Sequence, residues 1–209
     1  MKSAKVLIYN IKDKNKLDGL INIFESEGIS YKMIDEDSAF QRIGYLVGLD
    51  GYRKIEDEKI KSKPAKNELL FFAFLDEENM VNVLKKMKEN NILVKLKAGL
   101  TDTNSNWILN DLILHVEEES AMMDAYTTLL RDVNGIDNIV EKKSSTLINL
   151  LNEAKMLGKN KDLQVKEIEE HHIKVLDEFR NHVDNEMQLS NIQDLIFKEN
   201  QKMKFAKLQ

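Results

Sequence analysis

Cysteine is absent from the 209 residues, which excludes disulfides, thiolate nucleophiles and zinc–thiolate sites and agrees with a reducing compartment. Proline is nearly absent: Pro64 is the only one, and it falls in a charged stretch where it interrupts no strand or helix. No apolar run approaches the roughly 18 residues needed to span a bilayer, and the first residues lack the positive-then-apolar pattern of a signal peptide. A surplus of one charge is missing too. Lys and Arg number 31 against 36 Asp and Glu, a formal net charge of −5, whereas sequence-independent nucleic-acid binding needs concentrated basic residues. The lysines from Lys198 to Lys207 read as the solvated end of a helix, where they also suit its dipole. The expectation is a soluble, cytoplasmic protein with neither a membrane nor a nucleic-acid partner.

What is present is a repeat. Residues 6–48 and 69–111 align without a gap at an offset of 63, and self-similarity of this kind is read before anything else. The run VLIYNI (6–11) falls on LLFFAF (69–74), and Leu17, Leu20, Ile21 and Phe24 fall on Met80, Val83, Leu84 and Met87. Ile29 meets Ile92, and Lys32 meets Lys95. The first strand of each copy is apolar at nearly every position, as expected for a strand buried on both faces in mid-sheet with helices on each side. The second alternates, as expected nearer an edge. The residues between stand at helical spacing and supply the crossover that parallel strands require.

Each copy therefore reads strand, helix, strand, helix. Ser38 with Gln41 has capping-box spacing for the second helix of copy one, and its counterpart opens near Thr101. The predicted fold is α/β: two tandem β-α-β-α copies forming one four-stranded sheet domain over residues 1–117, joined by a solvent-exposed linker at 52–68. An all-helical region follows at 118–209. Six of the eight glycines precede it; Asn134-Gly135 reads as a turn and Gly158 as the residue closing a helix. Val165, Ile168, His172, Val175, Phe179 and then Met187 form an apolar stripe, with His171 in solvent, and Ser190 with Gln193 opens a last helix.

Chemistry concentrates in LKAGLTDTNSNWILNDL (96–112), where a strand ends and a helix begins with the only tryptophan. Ligands of open α/β sheets bind beyond strand ends, and a helix start offers unpaired N–H groups to an anion. Lys97, Thr101, Thr103, Asn104 and Trp107 are the candidate ligand-binding residues. The plainer reading makes Thr101 or Asn104 a cap and Trp107 a core residue. Glu169 and His172 have the i, i+3 spacing of di-iron bundle motifs, but the companion ligands such sites need are missing, so no metal is expected. The sequence has no glycine-rich phosphate loop, no GxSxG elbow and no HExxH, and nothing names a catalytic residue or a cofactor.

Lys97-Ala98, Thr101, Asn104 and Trp107 resemble the signature of an uncharacterised bacterial family, domain of unknown function three-seven-eight-three, whose pattern runs Leu-Lys-Ala, Thr, Asn, then Trp-x-Leu. The resemblance covers about residues 68–117 and implies no activity. Gly99 and Asp102 depart from the pattern. The function expected from the sequence is that of a non-catalytic regulatory or adaptor protein that self-associates or meets a protein partner through its C-terminal helices. The alternative is a small-molecule sensor holding an anionic ligand at 97–107.

Overall fold

The computed structural model describes residues 3–56, 63–140, 143–160, 162–183 and 194–200. Its four-stranded sheet has the order β2-β1-β3-β4, with β1 at Lys5–Tyr9, β2 at Ser30–Ile34, β3 at Leu69–Ala73 and β4 at Leu96–Gly99. The two apolar strands take the centre, where side chains in both directions meet a covering layer. β1 pairs in parallel with β2 and β3 with β4, while β1 and β3 run antiparallel. No hairpin can close a parallel pair, so each is bridged by a 13-residue helix, α1 (Lys14–Ser26) or α3 (Glu77–Glu89). Asp13 and Asp76 cap these helices, accepting the N–H of Lys16 at 3.0 Å and of Asn79 at 2.8 Å.

Alternation along the central strands divides the core into two layers. Val6, Ile8, Leu70 and Phe72 point toward α1 and α3, where Leu20, Phe24, Val83 and Met87 cover them. Leu7, Tyr9, Leu69 and Phe71 point the other way, under Ile43 and Leu46 of α2 (Ile43–Val47) and under Leu109 and Ile113 of α4 (Leu109–Ile139). Burying side chains of this size contributes roughly 1.5–3 kcal/mol each, so both layers matter to stability.

The spacing between the two halves is not constant at 63. Both ends of β1 and β3 lie 64 residues apart, and so do Asn10 and Phe74, which leave the strands with φ of 57° and 60°. The helix caps return to 63, and then Ser38 and Asn104, the first residues of two 3₁₀ turns, lie 66 apart. A strand shifted by one residue turns every side chain to the other face, which is why Leu7 and Leu70, superposed by the gapless alignment, lie in different core layers. The structural match of Leu7 is Phe71, directly opposite it in the β1–β3 ladder. Lys32 likewise matches Ala98 and not Lys95, since Leu7 pairs with Lys32 and Phe71 with Ala98.

Ser38 caps nothing through its side chain. Its own N–H is accepted by Asp35 at 2.7 Å, and Gln41 turns away to bond both backbone groups of Ile55, at 2.7 and 3.0 Å. The connection expected to lie in solvent is pinned where it is described. The Tyr9 hydroxyl donates to the Ala65 carbonyl at 2.7 Å, and Asn110, fully buried, accepts the Ala65 N–H at 2.8 Å and donates to Lys63 at 3.3 Å. Burial, helped by the charge of Glu36, pushes the Tyr9 hydroxyl up from its ordinary pKa, so it stays protonated and can donate.

The chain divides into compact units at 1–118 and 119–209. The second is helical, with α5 at Ser145–Leu157, α6 at Val165–His182 and a further helix at 194–200. Its core gathers Leu129, Val133, Leu147, Leu151, Val175 and Phe179. Asn134-Gly135 makes no turn: α4 runs straight through it, and Gly135 faces Ile196, whose Cγ2 would lie 3.2 Å from an added Cβ. Gly158 caps α5 without left-handed backbone, at φ −63°; an added Cβ would strike the Tyr126 ring at 2.6 Å. The histidines are exchanged relative to expectation. His171 is buried, its Nε2 2.9 Å from the Leu150 carbonyl oxygen, whereas the half-buried His172 sits 3.0 Å from Asp132. Ser190, Gln193 and Met187 lie outside the described residues.

Candidate ligand site

Thr101 and Asn104 close a reciprocal cap. Thr101 Oγ1 accepts the Asn104 N–H at 3.1 Å, Asn104 Oδ1 accepts the Thr101 N–H at 2.9 Å, and Asn104 Nδ2 donates to the Gly99 carbonyl at 2.8 Å. Every polar atom of the Asn104 amide is thereby engaged in holding the turn. Thr103 is exposed at the start of the same 3₁₀ turn and makes no side-chain cap bond. Trp107 packs beside the core layer under α2 and α4, edge-on to His115 with ring centroids 5.3 Å apart.

Lys97 is not part of this group. It pairs with Leu70, and both side chains lie on the face covered by α1 and α3, whereas Ala98 and Trp107 belong to the opposite layer. The five residues read from the sequence thus separate into a turn, a core aromatic and a lysine on the far side of the sheet.

On that far side lies an open cavity of about 380 Å³. The C-terminal part of α3 and the chain leading into β4 line it, with Leu84, Met87, Ile92 and Leu93 as apolar walls and Lys88, Asn91 and Lys97 as polar ones. Lys97 Nζ donates to the carbonyl of Val94, a buried residue three positions earlier. Burial holds the Lys97 ammonium below its ordinary pKa, because a charge leaving water is disfavoured. Among the described residues no carboxylate pairs with it. Ile92 reaches across to α1, where its Cδ1 occupies the space a Cβ on Gly19 would need, 2.6 Å away.

The sequence signal that could have located this cavity is the three-residue excess. In the first half Ile29 leads directly into β2, while in the second Leu93, Val94 and Lys95 stand between Ile92 and β4. The gapless alignment absorbed these residues because Val94 and Leu96 alternate with lysines as Tyr31 and Met33 do.

Elsewhere, the His172–Asp132 pair includes the neighbouring Arg131, 3.1 Å from Asp132 Oδ1. Burial alone would raise the Asp132 carboxyl, but hydrogen bonds from His172 and Arg131 outweigh it and hold it below the ordinary aspartate value. Among the described residues no group of three or more His, Cys, Asp or Glu stands together as a metal site would require, and no helix is long and apolar enough to cross a membrane.

Residues 68–123 match the model of a family described as a domain of unknown function (DUF3783), the family whose signature Lys97-Ala98, Thr101, Asn104 and Trp107 resemble. The match runs from β3 into α4 and takes in both the reciprocal cap and the cavity wall. No curated protein and no solved structure matches the chain.

Proposed function

We propose that the protein is a non-catalytic regulatory protein whose 1–118 unit binds a small anionic molecule in the cavity beside Lys97. The supporting observation is the lysine itself, a partly desolvated ammonium on the wall of a cavity whose other walls are mostly apolar. A pocket lined by apolar side chains with a few convergent polar groups is the ordinary form of a ligand site. In this reading the anionic site lies at Lys97 and the α3–β4 connection, and the Thr101–Asn104 pair shapes the turn behind it. The two halves of the unit derive from an internal duplication, consistent with their shared element order, and the protein works in the cytoplasm. Native mass spectrometry of the full chain, purified gently, tests the reading. The expected result is extra mass that disappears on denaturation and is missing from Lys97→Met; a clean apo spectrum from several hosts and preparations counts against it.

An adaptor that associates through its helices is the second reading. It is favoured by the exposed apolar side chains of Met123, Ile148, Met156, Ile173 and Phe197 in the 119–209 unit. Sedimentation of the full chain beside Ile148→Asp and Ile173→Asp decides it, an oligomer that dissociates in either variant being the supporting result.

A further inference from the structure

We infer that the cavity beside Lys97 takes a small organic monocarboxylate with an apolar tail, an inference that rests on the sensor reading and names its ligand class. The argument begins with the asymmetry between the two halves. The position equivalent to Lys97 is Tyr31 on β2, because Val6 pairs with Tyr31 and Leu70 with Lys97. Residues 27–29 alone join α1 to β2, whereas the connection from α3 to β4 is longer by three residues, Leu93, Val94 and Lys95. Of these, Val94 is buried under α3 and offers its carbonyl to Lys97, while Leu93 is 76% exposed at the cavity's lip. The inserted residues therefore supply both the fixed position of the ammonium and one apolar wall.

An ammonium has three N–H donors, so a lysine bonded to one carbonyl keeps donors for a carboxylate. Lys88 and the Asn91 amide stand at the same cavity and bring further donors of the same sense. The other walls, Leu84, Ile92 and Leu93, give nothing to a polar ligand, and Leu84 and Leu93 are exposed without one. A ligand with charge at one end and hydrocarbon at the other meets both sets of groups. Inorganic phosphate does not: it would lose water against apolar walls without the cluster of N–H groups or arginines that phosphate sites provide. A volume of about 380 Å³ is at the small end of ligand pockets, which run from roughly 300 to 1,000 Å³, and suits a short acid better than a nucleotide.

The test is an amide chemical-shift titration of the full-length protein with hexanoate, hexan-1-ol and inorganic phosphate as separate probes. Hexanoate is expected to move the amides of residues 84–97, hexanol to move them more weakly, and phosphate to leave them in place. Lys97→Met should weaken hexanoate by about tenfold or more and leave hexanol unchanged, as loss of one charge-assisted contact predicts. Leu93→Glu, at an exposed position that folding tolerates, should also weaken hexanoate by placing a like charge at the lip, so the result does not depend on one variant. Undiminished hexanoate affinity in Lys97→Met overturns the proposal. Phosphate binding without hexanoate binding overturns the ligand class and leaves the sensor reading standing; silence of these amides to all three probes removes both.

Discussion

Arg42 and Ile108 face each other in an isolated antiparallel bridge, where the two halves of the first unit exchange backbone contacts outside the sheet. The Ile43 N–H donates to the Trp107 carbonyl at 2.9 Å, and the Leu109 N–H donates to the Gln41 carbonyl at 3.1 Å. Gln41 and Trp107, like Ile43 and Leu109, are separated by 66 residues, so each half gives the other the bond it receives. Both helices of this layer thus start from one shared point, each with its first backbone donor satisfied. They diverge afterwards. α2 stops after five residues at Gly48, in left-handed backbone at φ 81°, whereas α4 continues for 31.

Asn110 lies two residues beyond this bridge and carries a load that the equivalent Gly44 cannot. Asn110→Ala removes the acceptor of the Ala65 N–H, leaving a buried donor unpaired, which costs about 1–3 kcal/mol. Urea denaturation should show an unfolding free energy lowered by that amount. Asn134→Ala, exposed on the same helix, should change it by a few tenths at most. Equal effects would mean that Asn110 does not hold the 63–65 segment.

The features legible in the sequence were those fixed by burial. β1 and β3 announced themselves as central strands because they are apolar in both directions, and α1 and α3 by the spacing of Leu17, Leu20 and Phe24 and of Met80, Val83 and Met87. The same burial concealed their register, since a strand with two apolar faces has no alternation to show which residues share a face. Lys97 was grouped with Thr101, Asn104 and Trp107, from which the sheet separates it, because proximity in sequence says nothing about which side of a strand a side chain takes. Asn134-Gly135 and His171 were misread for a tertiary reason: Ile196 fills the space beside Gly135, and the Leu150 carbonyl gives the His171 ring a buried partner.

Thr101→Ala and Asn104→Ala should each lower stability by about 0.5–2 kcal/mol, the usual cost of losing a cap. Because the two side chains cap each other, the double variant should cost less than the sum of the singles. Hexanoate affinity should be unchanged in all three, since Lys97 stands on the other face of the sheet. A tenfold loss of affinity with no loss of stability would return the ligand to the 101–107 turn.

Asp137 sets a pH limit on the helical unit. A hydrogen bond from Lys155, at 2.8 Å, with a second contribution from Lys143, holds its carboxyl below the ordinary value of 3.8. A group whose folded-state pKa is depressed contributes its stability above the unfolded pKa and loses it as pH falls through the folded one. The unit should therefore weaken as pH drops below about 4, and Asp137→Asn should flatten that slope while lowering stability slightly at neutral pH. Circular dichroism melts over an acid series make the comparison, and an unaltered slope in the variant removes Asp137 as a contributor.

Gly19→Ala offers a way to change the cavity without touching its charge. The residue lies in the middle of α1, where alanine is favoured over glycine by about 1 kcal/mol, so helix propensity alone predicts a gain in stability. The added methyl would stand 2.6 Å from Ile92 Cδ1, too close to coexist, but that atom is the free end of a flexible side chain and can turn aside. The space available to it is the cavity that Ile92 already lines. The variant should therefore hold or raise its melting temperature while binding hexanoate more weakly, the reverse of what a generally destabilised protein does. Weaker binding together with an intact Lys97 would show that the apolar wall, and not the charge alone, selects the ligand. Unchanged binding would mean that Ile92 moves elsewhere and that the ligand's tail does not rest on it.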